Sequence, residues 1–358
     1  MPKHNHKTAV ILFNLGGPDQ LSSVKPFLFN LFNDKAIISL PNPFRYLLAK
    51  FISSRREKKA QGIYKEIGGK SPLLDITLAQ ADSLNRELSF HGEFKVFVAM
   101  RYWHPFVEKA IKQVKEYQPQ QIILLPLYPQ FSSTTTASSI NNFIENFNDT
   151  NTSVKVACCY PTHPDFIKSH ALQLKQIIEK IPAKNLSNIR ILFSAHGLPK
   201  SVINKGDPYV FQVEETAKKV MEILPDICNE DKINHFEYKI CYQSKVGPME
   251  WTSPSLDQEI RSIALDKKIP IIVPIAFVSD HSETLVELDI EYRELAHNLG
   301  IKEYHRVASL NIDRSYINSL CDIVLSISKN EEFDIFCGSD PKRICPKNFK
   351  LCPNQNSC

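Results

Sequence analysis

The chain alternates short, continuously apolar runs with amphipathic segments, and this alternation constrains its fold more than any other feature. The apolar runs are rich in β-branched residues at consecutive positions, a pattern typical of strands that are covered on both faces of a parallel sheet. The predicted strands are Ala9–Leu15, Phe94–Met100, Ile122–Leu127, Val154–Cys159, Ile189–Phe193, Glu237–Cys241 and Ile271–Val278. The intervening segments have helical spacing, and one of these helices is predicted to begin near Ser253-Pro254. The order predicts a doubly wound α/β fold with two similar halves.

The length of 358 residues is sufficient for two domains. The strings AMRYWHP, starting at residue 99, and ACCYPTHP, starting at residue 157, share a faint pattern that supports two related halves. We therefore predict a first half over residues 1–160, which includes a distinctive segment at 40–60, and a second half over residues 161–328. Residues 329–358 form a cysteine-rich C-terminal tail.

Composition excludes several classes of protein. The net charge of +4 is small for this length, so no nucleic-acid partner is expected. No apolar run approaches the ~20 residues that span a bilayer. Nine cysteines without a recognisable secretory signal indicate a reducing compartment. These features predict a soluble, cytoplasmic protein.

Titratable side chains follow two of the predicted strands, where ligands bind in open parallel sheets. His196 stands in a Ser-Ala-His-Gly turn, and Asp280, His281 and Glu283 follow the last predicted strand. A histidine on a tight turn before Gly197 is placed as an exposed catalytic group would be. A structural histidine that bonds loop backbone fits the same position, and the local sequence leaves both interpretations open.

An acidic row continues from this point. Glu283, Glu287 and Glu291 are spaced at i, i+4 and i+8, which places them on one face of a helix. Like charges at this spacing cost stability unless they are solvated or hold a cation or protons. A solvated acidic face is the simpler interpretation. It loses ground because the row starts beside Asp280 and His281 at a strand end, where a ligand is expected.

Residues 40–60 combine an apolar stripe with basic flanks. The stripe has helical spacing and consists of Phe44, Leu47, Leu48, Phe51 and Ile52. Such a helix either packs on the core or rests on an anionic membrane surface. Both interpretations stay open.

Four cysteines lie in the C-terminal tail, a polar segment with no core pattern. They are Cys337, Cys345, Cys352 and Cys358. This context favours metal ligands over buried apolar side chains. A tail that binds nothing is the alternative.

A colinear set of uncommon strings runs through nearly the whole chain. It comprises LFNLGGP, IYKEIGGKSPL, AMRYWHP, LLPLYPQFSSTTTASS, LFSAHGLPKSVINKGDPY, CYQSKVGPMEWTSP and PIAFVSDHSETLVELDIEY. The set resembles the ferrochelatase family, bacterial type. The resemblance implies two Rossmann-like halves that face each other across a cleft, as in chelatases. It also implies a lyase that inserts Fe²⁺ into protoporphyrin IX, the last step of haem biosynthesis.

The resemblance also implies roles for individual residues. His196 and Glu283 match the catalytic and metal-binding pair, with their division of labour open. Asp280, His281 and Glu287 match a path for protons or metal. The implied porphyrin contacts are Leu15, Tyr64, Ser71, Arg101, Tyr102 and Trp251. Segment 40–60 resembles the lip at the mouth of the cleft, which is consistent with a peripheral contact at the inner membrane.

Some ferrochelatases hold a two-iron two-sulfur cluster with C-terminal cysteines and one cysteine from the body of the chain. Here Ser133 occupies the internal position where animal members have cysteine, and the tail spacing is wider. All four ligands come from the tail, or Cys158 or Cys159 contributes. The rival functions are a coproporphyrin ferrochelatase, a non-catalytic tetrapyrrole or iron carrier, and an iron–sulfur sensor. Intact His196 and Glu283 argue against the carrier, which needs no proton acceptor.

Overall fold

A computed structural model describes residues 7–228, 236–245, 247 and 249–355. The β-strands are β1 (Thr8–Asn14), β2 (Phe94–Met100), β3 (Gln121–Pro126), β4 (Ser153–Cys159), β5 (Ile189–His196), β6 (Glu237–Gln243), β7 (Ile269–Pro274), β8 (His305–Arg306) and β9 (Ile335–Cys337). The α-helices are α1 (Val24–Phe32), α2 (Phe44–Lys65), α3 (Leu73–Leu88), α4 (Val107–Tyr117), α5 (Thr136–Asn146), α6 (Pro164–Ile178), α7 (Lys200–Ile203), α8 (Tyr209–Cys228), α9 (Leu256–Asp266), α10 (Tyr292–Asn298) and α11 (Arg314–Lys329). A π-helix spans Glu283–Glu291, and 3₁₀ helices span Leu21–Ser23 and Ala183–Asn188.

The strands form two parallel sheets. The first sheet has the order β2-β1-β3-β4-β9, and the second has the order β6-β5-β7-β8. In both sheets the earliest strand lies between the next two strands in the sequence, so the strand order reverses beside β1 and beside β5. These reversals are the topological switch points at which doubly wound sheets bind ligands. The predicted fold class is confirmed.

The continuous apolar runs form the cores as predicted. All seven residues of β1 are buried. The apolar face of α4 covers the first sheet, where Val107, Ala110 and Val114 pack against residues of β1 and β3. In the second sheet, α9 packs against β5 and β7 in the same way. Strands that are covered on both faces need apolar residues at every position, which explains why these runs were recognisable in the sequence.

The chain divides into two compact units. The first unit comprises the described residues within 1–159, 320–344 and 353–358, and the second comprises those within 160–319 and 345–352. One boundary falls inside α11, and the C-terminal tail is shared between the units. The tail predicted as residues 329–358 thus contributes residues to both units.

The tail contributes core residues although its sequence shows no core pattern. Ile335–Cys337 forms β9, which pairs in parallel with β4 and buries Phe336. A strand of three residues is too short to show a periodic pattern. Its charged and proline-rich surroundings also conceal it in the sequence.

Two helix predictions need correction. The acidic helix begins as a π-helix, whose hydrogen bonds join residues i and i+5, and the charge pattern does not predict this bonding. Glu291 is exposed, whereas Glu283 and Glu287 are partly buried. The helix predicted at Ser253-Pro254 starts later, at Leu256. Ser255 caps it in a reciprocal capping box with Gln258, which satisfies two backbone N–H groups at once.

Candidate active site

His196 and Glu283 come together at the carboxyl edge of the second sheet. His196 is the last residue of β5, and Glu283 is the first residue of the π-helix that follows β7. Nδ1 of His196 lies 2.9 Å from Oε2 of Glu283. Nε2 of His196 has no hydrogen-bond partner within the described part of the chain. The side chains are 38% and 26% exposed, so both are accessible to a ligand.

The two pKa values move in opposite directions. Burial lowers the pKa of His196, but the attraction and the hydrogen bond of Glu283 outweigh burial and raise this pKa above its ordinary value. Burial raises the pKa of Glu283, but His196 and then His281 outweigh it, and the pKa lies well below the usual range. The pair therefore keeps an imidazolium beside a carboxylate up to a higher pH than an isolated histidine would. A metal ion that binds the imidazole must displace this proton.

Three donors hold the carboxylate of Glu287, which lies further along the π-helix. Nε2 of Gln243 donates to Oε2 at 3.1 Å, and the backbone N–H of Ser244 donates to Oε1 at 2.9 Å. The hydroxyl of Ser244 also donates to Oε2. Burial and then repulsion from Glu283 raise the pKa of Glu287 despite these donors. Neighbouring carboxyls whose pKa values are pushed apart are suited to different acid–base roles.

Gln243, which the sequence-based site prediction missed, connects the parts of this site. Its Oε1 accepts from the hydroxyl of Ser194 at 2.7 Å, and its Nε2 also donates to the carbonyl of Glu283 at 3.0 Å. Its own carbonyl accepts from the N–H of Gly197 at 2.9 Å. The signal that could have identified Gln243 and Ser244 is their position at the end of a parallel strand next to His196.

His281 contacts the pair, with its Nε2 3.9 Å from Oε2 of Glu283. Its Nδ1 lies 3.0 Å from the carbonyl oxygen of Ser279, which fixes the orientation of the ring. His281 thus adds a second imidazole beside the same carboxylate oxygen.

Asp280 has structural partners. Its Oδ1 lies 3.0 Å from Nη1 of Arg306 and accepts from the hydroxyl of Thr284 at 2.9 Å. Its Oδ2 accepts from Nδ2 of Asn311 at 2.8 Å. Burial raises the pKa of Asp280, but Arg306 and the neighbouring donors outweigh burial and lower it. These bonds fix the chain at the start of the π-helix, so a role for Asp280 in a proton or metal path stays a prediction.

Trp251 lies close to the backbone beside His196. A Cβ atom at Gly197 would stand 3.4 Å from the indole ring and 3.0 Å from the carbonyl oxygen of Gln243, so glycine permits this approach. The buried indole N–H has no hydrogen-bond partner among the residues described. Trp251 thus provides an aromatic surface and an unused donor next to the histidine.

The predicted porphyrin contacts of the first unit follow β1 and β2 or lie near them. Leu15, Tyr64 and Tyr102 pack in one apolar cluster with α1 and α2. The ring of Tyr102 is only 1% exposed. This ring therefore supports the surrounding wall from within the core, and its contribution to porphyrin binding stays a prediction.

Ser71 is held between two backbone segments. Its N–H donates to the carbonyl of Pro18 at 2.8 Å, and its hydroxyl accepts from the N–H of Leu73 at 3.3 Å, at the start of α3. A Cβ atom at Gly17 would stand 2.5 Å from the Ser71 side chain. The glycine-rich turn after β1 therefore permits the close approach of Ser71.

Three thiols converge at the end of the first sheet. Cys158 and Cys159 are the last two residues of β4, and Cys337 is the last residue of β9. Because β4 pairs with β9, the three buried sulfur atoms lie within 4.8 Å of one another. The side-chain N–H of Asn354 donates to Cys337 Sγ at 3.5 Å. Hydrogen bonds from Cys158 and then Cys159 lower the pKa of the Cys337 thiol. The donor set fits a thiophilic metal or cluster.

Two of the other tail cysteines lie among the described residues, and both are buried. Cys345 is buried in the second unit, where its sulfur accepts from Nε2 of Gln212 at 3.0 Å. Cys352 is also buried. Cys358 lies outside the described residues.

The apolar side chains of α2 and the segment before it are partly uncovered. Phe44, Leu47 and Phe51 are exposed, while Ile52 packs inward against the cluster of α1 and Tyr102. The guanidinium of Arg55 lies over the Phe51 ring at 5.8 Å. Among the described helices, none is long and apolar enough to cross a bilayer.

Curated relatives match almost the full chain. The ferrochelatase of Rickettsia bellii (strain OSU 85-389) is 53% identical over 349 residues, which cover 97% of this chain and 94% of the relative. The ferrochelatase of Pelagibacter ubique (strain HTCC1062) is 47% identical over 355 residues, which cover 98% and 99% of the two chains.

Two solved structures that share this fold are forms of the chelatase SirB. SirB from Bacillus subtilis with Fe³⁺ aligns with a TM-score of 0.51 at 13% identity and covers 92% of this chain and 99% of its own. The sirohydrochlorin chelatase SirB from Bacillus subtilis subspecies spizizenii with cobalt gives 0.51 at 10% identity, with coverage of 91% and 97%. At this identity the similarity concerns the fold alone. The sequence profile of the Ferrochelatase family matches residues 7–327, and with the relatives above it shows that the chain belongs to the ferrochelatase family, a family of metal chelatases of the lyase class.

Proposed function

We propose that the chain inserts ferrous iron into protoporphyrin IX through His196 and Glu283. The 2.9 Å contact between Nδ1 of His196 and Oε2 of Glu283 carries the proposal, because it orients the imidazole and leaves Nε2 available to a substrate. A neutral imidazole and a carboxylate bind Fe²⁺ without the soft thiolate ligands that would retain it. The family assignment does not favour the carrier or coproporphyrin alternatives.

Iron insertion releases two pyrrole protons from the macrocycle. Once the His196–Glu283 pair has lost its own proton, Nε2 of His196 can accept a pyrrole proton. Glu287, whose pKa burial and Glu283 raise, then accepts protons more readily than Glu283 does. Because iron and protons compete for the same atoms, delivery of the metal and departure of the protons are coupled.

The porphyrin has to bend before iron can enter, and contacts with its faces and edges can supply the required binding energy. We expect Leu15 and Trp251 to contact the macrocycle. The surface around the macrocycle is formed or made polar by the remaining predicted contacts, which are Tyr64, Ser71, Arg101 and Tyr102. His281 and Glu287 lie beside Glu283 and extend the route for protons or metal, and Asp280 anchors the start of that route.

The test is anaerobic haem formation from Fe²⁺ and protoporphyrin IX, with coproporphyrin as a parallel substrate. We expect His196→Ala and Glu283→Gln to bind porphyrin but to lose turnover by about 10²-fold or more. The matched controls are His297→Ala and Glu291→Gln, which replace exposed residues and should retain activity. A wild-type protein that binds porphyrin without inserting iron would support the carrier instead.

We further propose that a two-iron two-sulfur cluster is held by Cys337 together with Cys158 and Cys159. Their burial and convergence within 4.8 Å support this set. For a fourth ligand the sequence of the tail offers Cys345, Cys352 or Cys358. When bound, such a cluster supplies one-electron redox chemistry. The Asn354 N–H near Cys337 would tune it.

Visible absorption, together with iron and acid-labile sulfide content, tests this assignment on anaerobically purified protein. Cys158→Ser and Cys337→Ser should abolish the cluster signal. Cys241→Ser, which changes an equally buried thiol in β6, should leave it intact. Wild-type protein without sulfide or a visible spectrum would overturn the proposal.

We also propose a cytoplasmic location with peripheral contact to an anionic membrane through residues 40–60. Exposed Phe44, Leu47 and Phe51 beside lysines and arginines support this surface. Co-sedimentation with anionic vesicles should decrease in a Phe44→Ser/Phe51→Ser variant and at high salt. Phe90→Ser, which alters an exposed phenylalanine outside this segment, is the control, and equal binding by both variants would contradict the surface.

A further inference from the structure

The buried carboxylate of Asp34 accepts hydrogen bonds from several polar side chains at the carboxyl edge of the first sheet. Asp34 lies just after α1, and its side chain is only 3% exposed. Its Oδ2 accepts from Nη2 of Arg101 at 2.8 Å, from the hydroxyl of Tyr102 at 2.9 Å and from the hydroxyl of Ser138 at 2.5 Å. Its Oδ1 accepts from the N–H of Ala36 at 2.9 Å. The acceptor capacity of this carboxylate is therefore almost fully used.

This arrangement fixes one edge of the Arg101 guanidinium. Nη2 contacts Asp34, and Nε donates to the hydroxyl of Ser138 at 2.8 Å. The guanidinium also lies over the Tyr102 ring at 5.2 Å, and the N–H of Arg101 donates to the carbonyl of Asn14 at 2.9 Å. Backbone and side chain are thus both held in place.

The opposite edge of the guanidinium remains available. Within the described chain, Nη1 of Arg101 makes no hydrogen bond or ion pair, and 21% of the side chain is exposed. The two N–H groups of a guanidinium nitrogen are suited to a carboxylate oxygen. A side chain that is already fixed loses less rotamer entropy when it binds.

We propose that Asp34 is a positioning residue that presets Arg101 to bind a propionate carboxylate of the porphyrin substrate. The inference rests on the proposed function, since it assigns a substrate group to a residue near the ligand-binding edge of the first sheet. Propionates are the charged groups of protoporphyrin IX, so a fixed cation can define how the macrocycle lies. Asp34 acts through Arg101 and touches no reacting atom.

Affinity for metal-free protoporphyrin IX, measured by fluorescence quenching, provides the first test. Asp34→Asn keeps the size of the side chain but removes its charge, and should weaken binding about tenfold, as the loss of a charge-assisted hydrogen bond would. The value of kcat at saturating porphyrin should change little. Asp149→Asn is the control, because Asp149 likewise accepts from a backbone N–H two residues on and lies on a distant turn.

The dimethyl ester of protoporphyrin IX separates positioning from general structural support. Wild-type protein should prefer the free acid to the ester, and Asp34→Asn should reduce that preference about tenfold by weakening binding of the acid alone. A purely structural role would weaken binding of both compounds equally. An unchanged preference in Asp34→Asn therefore overturns the inference.

Ser138→Ala removes two hydrogen bonds from the same network, the one from Arg101 and the one to Asp34. It decides the question if Asp34→Asn fails to fold. Its preference for the acid should fall less than in Asp34→Asn, about threefold, because the ion pair of Asp34 with Arg101 remains. An unchanged preference overturns the inference. Wild-type protein that binds neither porphyrin would overturn the proposed function as well. If the wild type inserts iron and the variants keep the wild-type preference for the free acid over the ester, only the role of Asp34 is overturned.

Discussion

The 2.9 Å contact between Nδ1 of His196 and Oε2 of Glu283 makes the protonation state of the imidazole depend on the carboxylate. The two residues come from the end of β5 and the start of the π-helix, so the fold of the second sheet brings them together. Both a metal ion and a pyrrole proton require an imidazole that has first lost its own proton. A stronger interaction between Glu283 and the imidazolium raises the pH at which the neutral imidazole can bind iron or accept a proton.

Turnover should therefore fall as pH decreases through a pKa above the ordinary 6.5 of histidine, because Glu283 raises the pKa of His196. In Glu283→Gln this attraction is lost while burial remains, so the acid limb should move to lower pH. The maximal rate should also fall by about 10²-fold or more. The pH profiles of kcat/KM for wild type and variant test both statements, and an acid limb that does not move would contradict the coupling.

Glu287→Gln should lower kcat by about 10- to 100-fold and leave porphyrin affinity unchanged, because the raised pKa of Glu287 suits it to accept protons. Glu291→Gln is its matched control in the same helix, since Glu291 is exposed. Steady-state kinetics with both substrates varied will separate the effect on kcat from any effect on KM. Equal losses in both variants would indicate a general effect on the helix instead.

The strands and the position of His196 were predictable because they follow from local patterns. Continuous apolar runs identify strands that are buried on both faces, and the residues that follow them lie at the ligand-binding edge. In the acidic row, Glu283 and Glu287 are partly buried, whereas Glu291 is exposed. The sequence pattern of charges does not distinguish a π-helix from an α-helix, because the difference lies in backbone hydrogen bonding.

Two other contacts between residues distant in sequence were not predictable from one chain. Asp34 is 67 positions from Arg101 in the sequence. An aspartate that follows a helix is usually interpreted as a turn residue, so its contact with Arg101 was not expected. Cys337 reaches Cys158 and Cys159 because β9 pairs with β4, and a strand of three residues leaves no periodic signal. Such groups are found only when the register of the sheet is known.

Two glycine substitutions should have opposite effects on stability. A Cβ at Gly17 would stand 2.5 Å from the Ser71 side chain, so Gly17→Ala should destabilise the protein by about 1–3 kcal/mol through overpacking and weaken porphyrin binding. Gly62 lies inside α2 with no atom within 4 Å of an added Cβ, so Gly62→Ala should stabilise by about 0.5–1 kcal/mol. Urea unfolding measures both, and equal signs would contradict the packing at Gly17.

His170 should make the protein sensitive to acid. It is buried in α6 against Phe166, at 4.9 Å between the rings, and neither ring nitrogen has a partner among the described residues. Burial lowers the pKa of His170 to about 3. Between about pH 6.5 and this value the unfolded chain binds a proton that the folded chain does not, so folding stability decreases as pH falls.

His170→Leu removes this proton difference. The variant should therefore gain stability relative to wild type by up to about 1.4 kcal/mol per pH unit as the pH falls below about 6. Urea unfolding at a series of pH values measures the difference, with the exposed His297→Leu as control. A difference between His170→Leu and wild type that stays constant with pH would mean that His170 is protonated in the folded protein, and hence that a partner or water stabilises its charge.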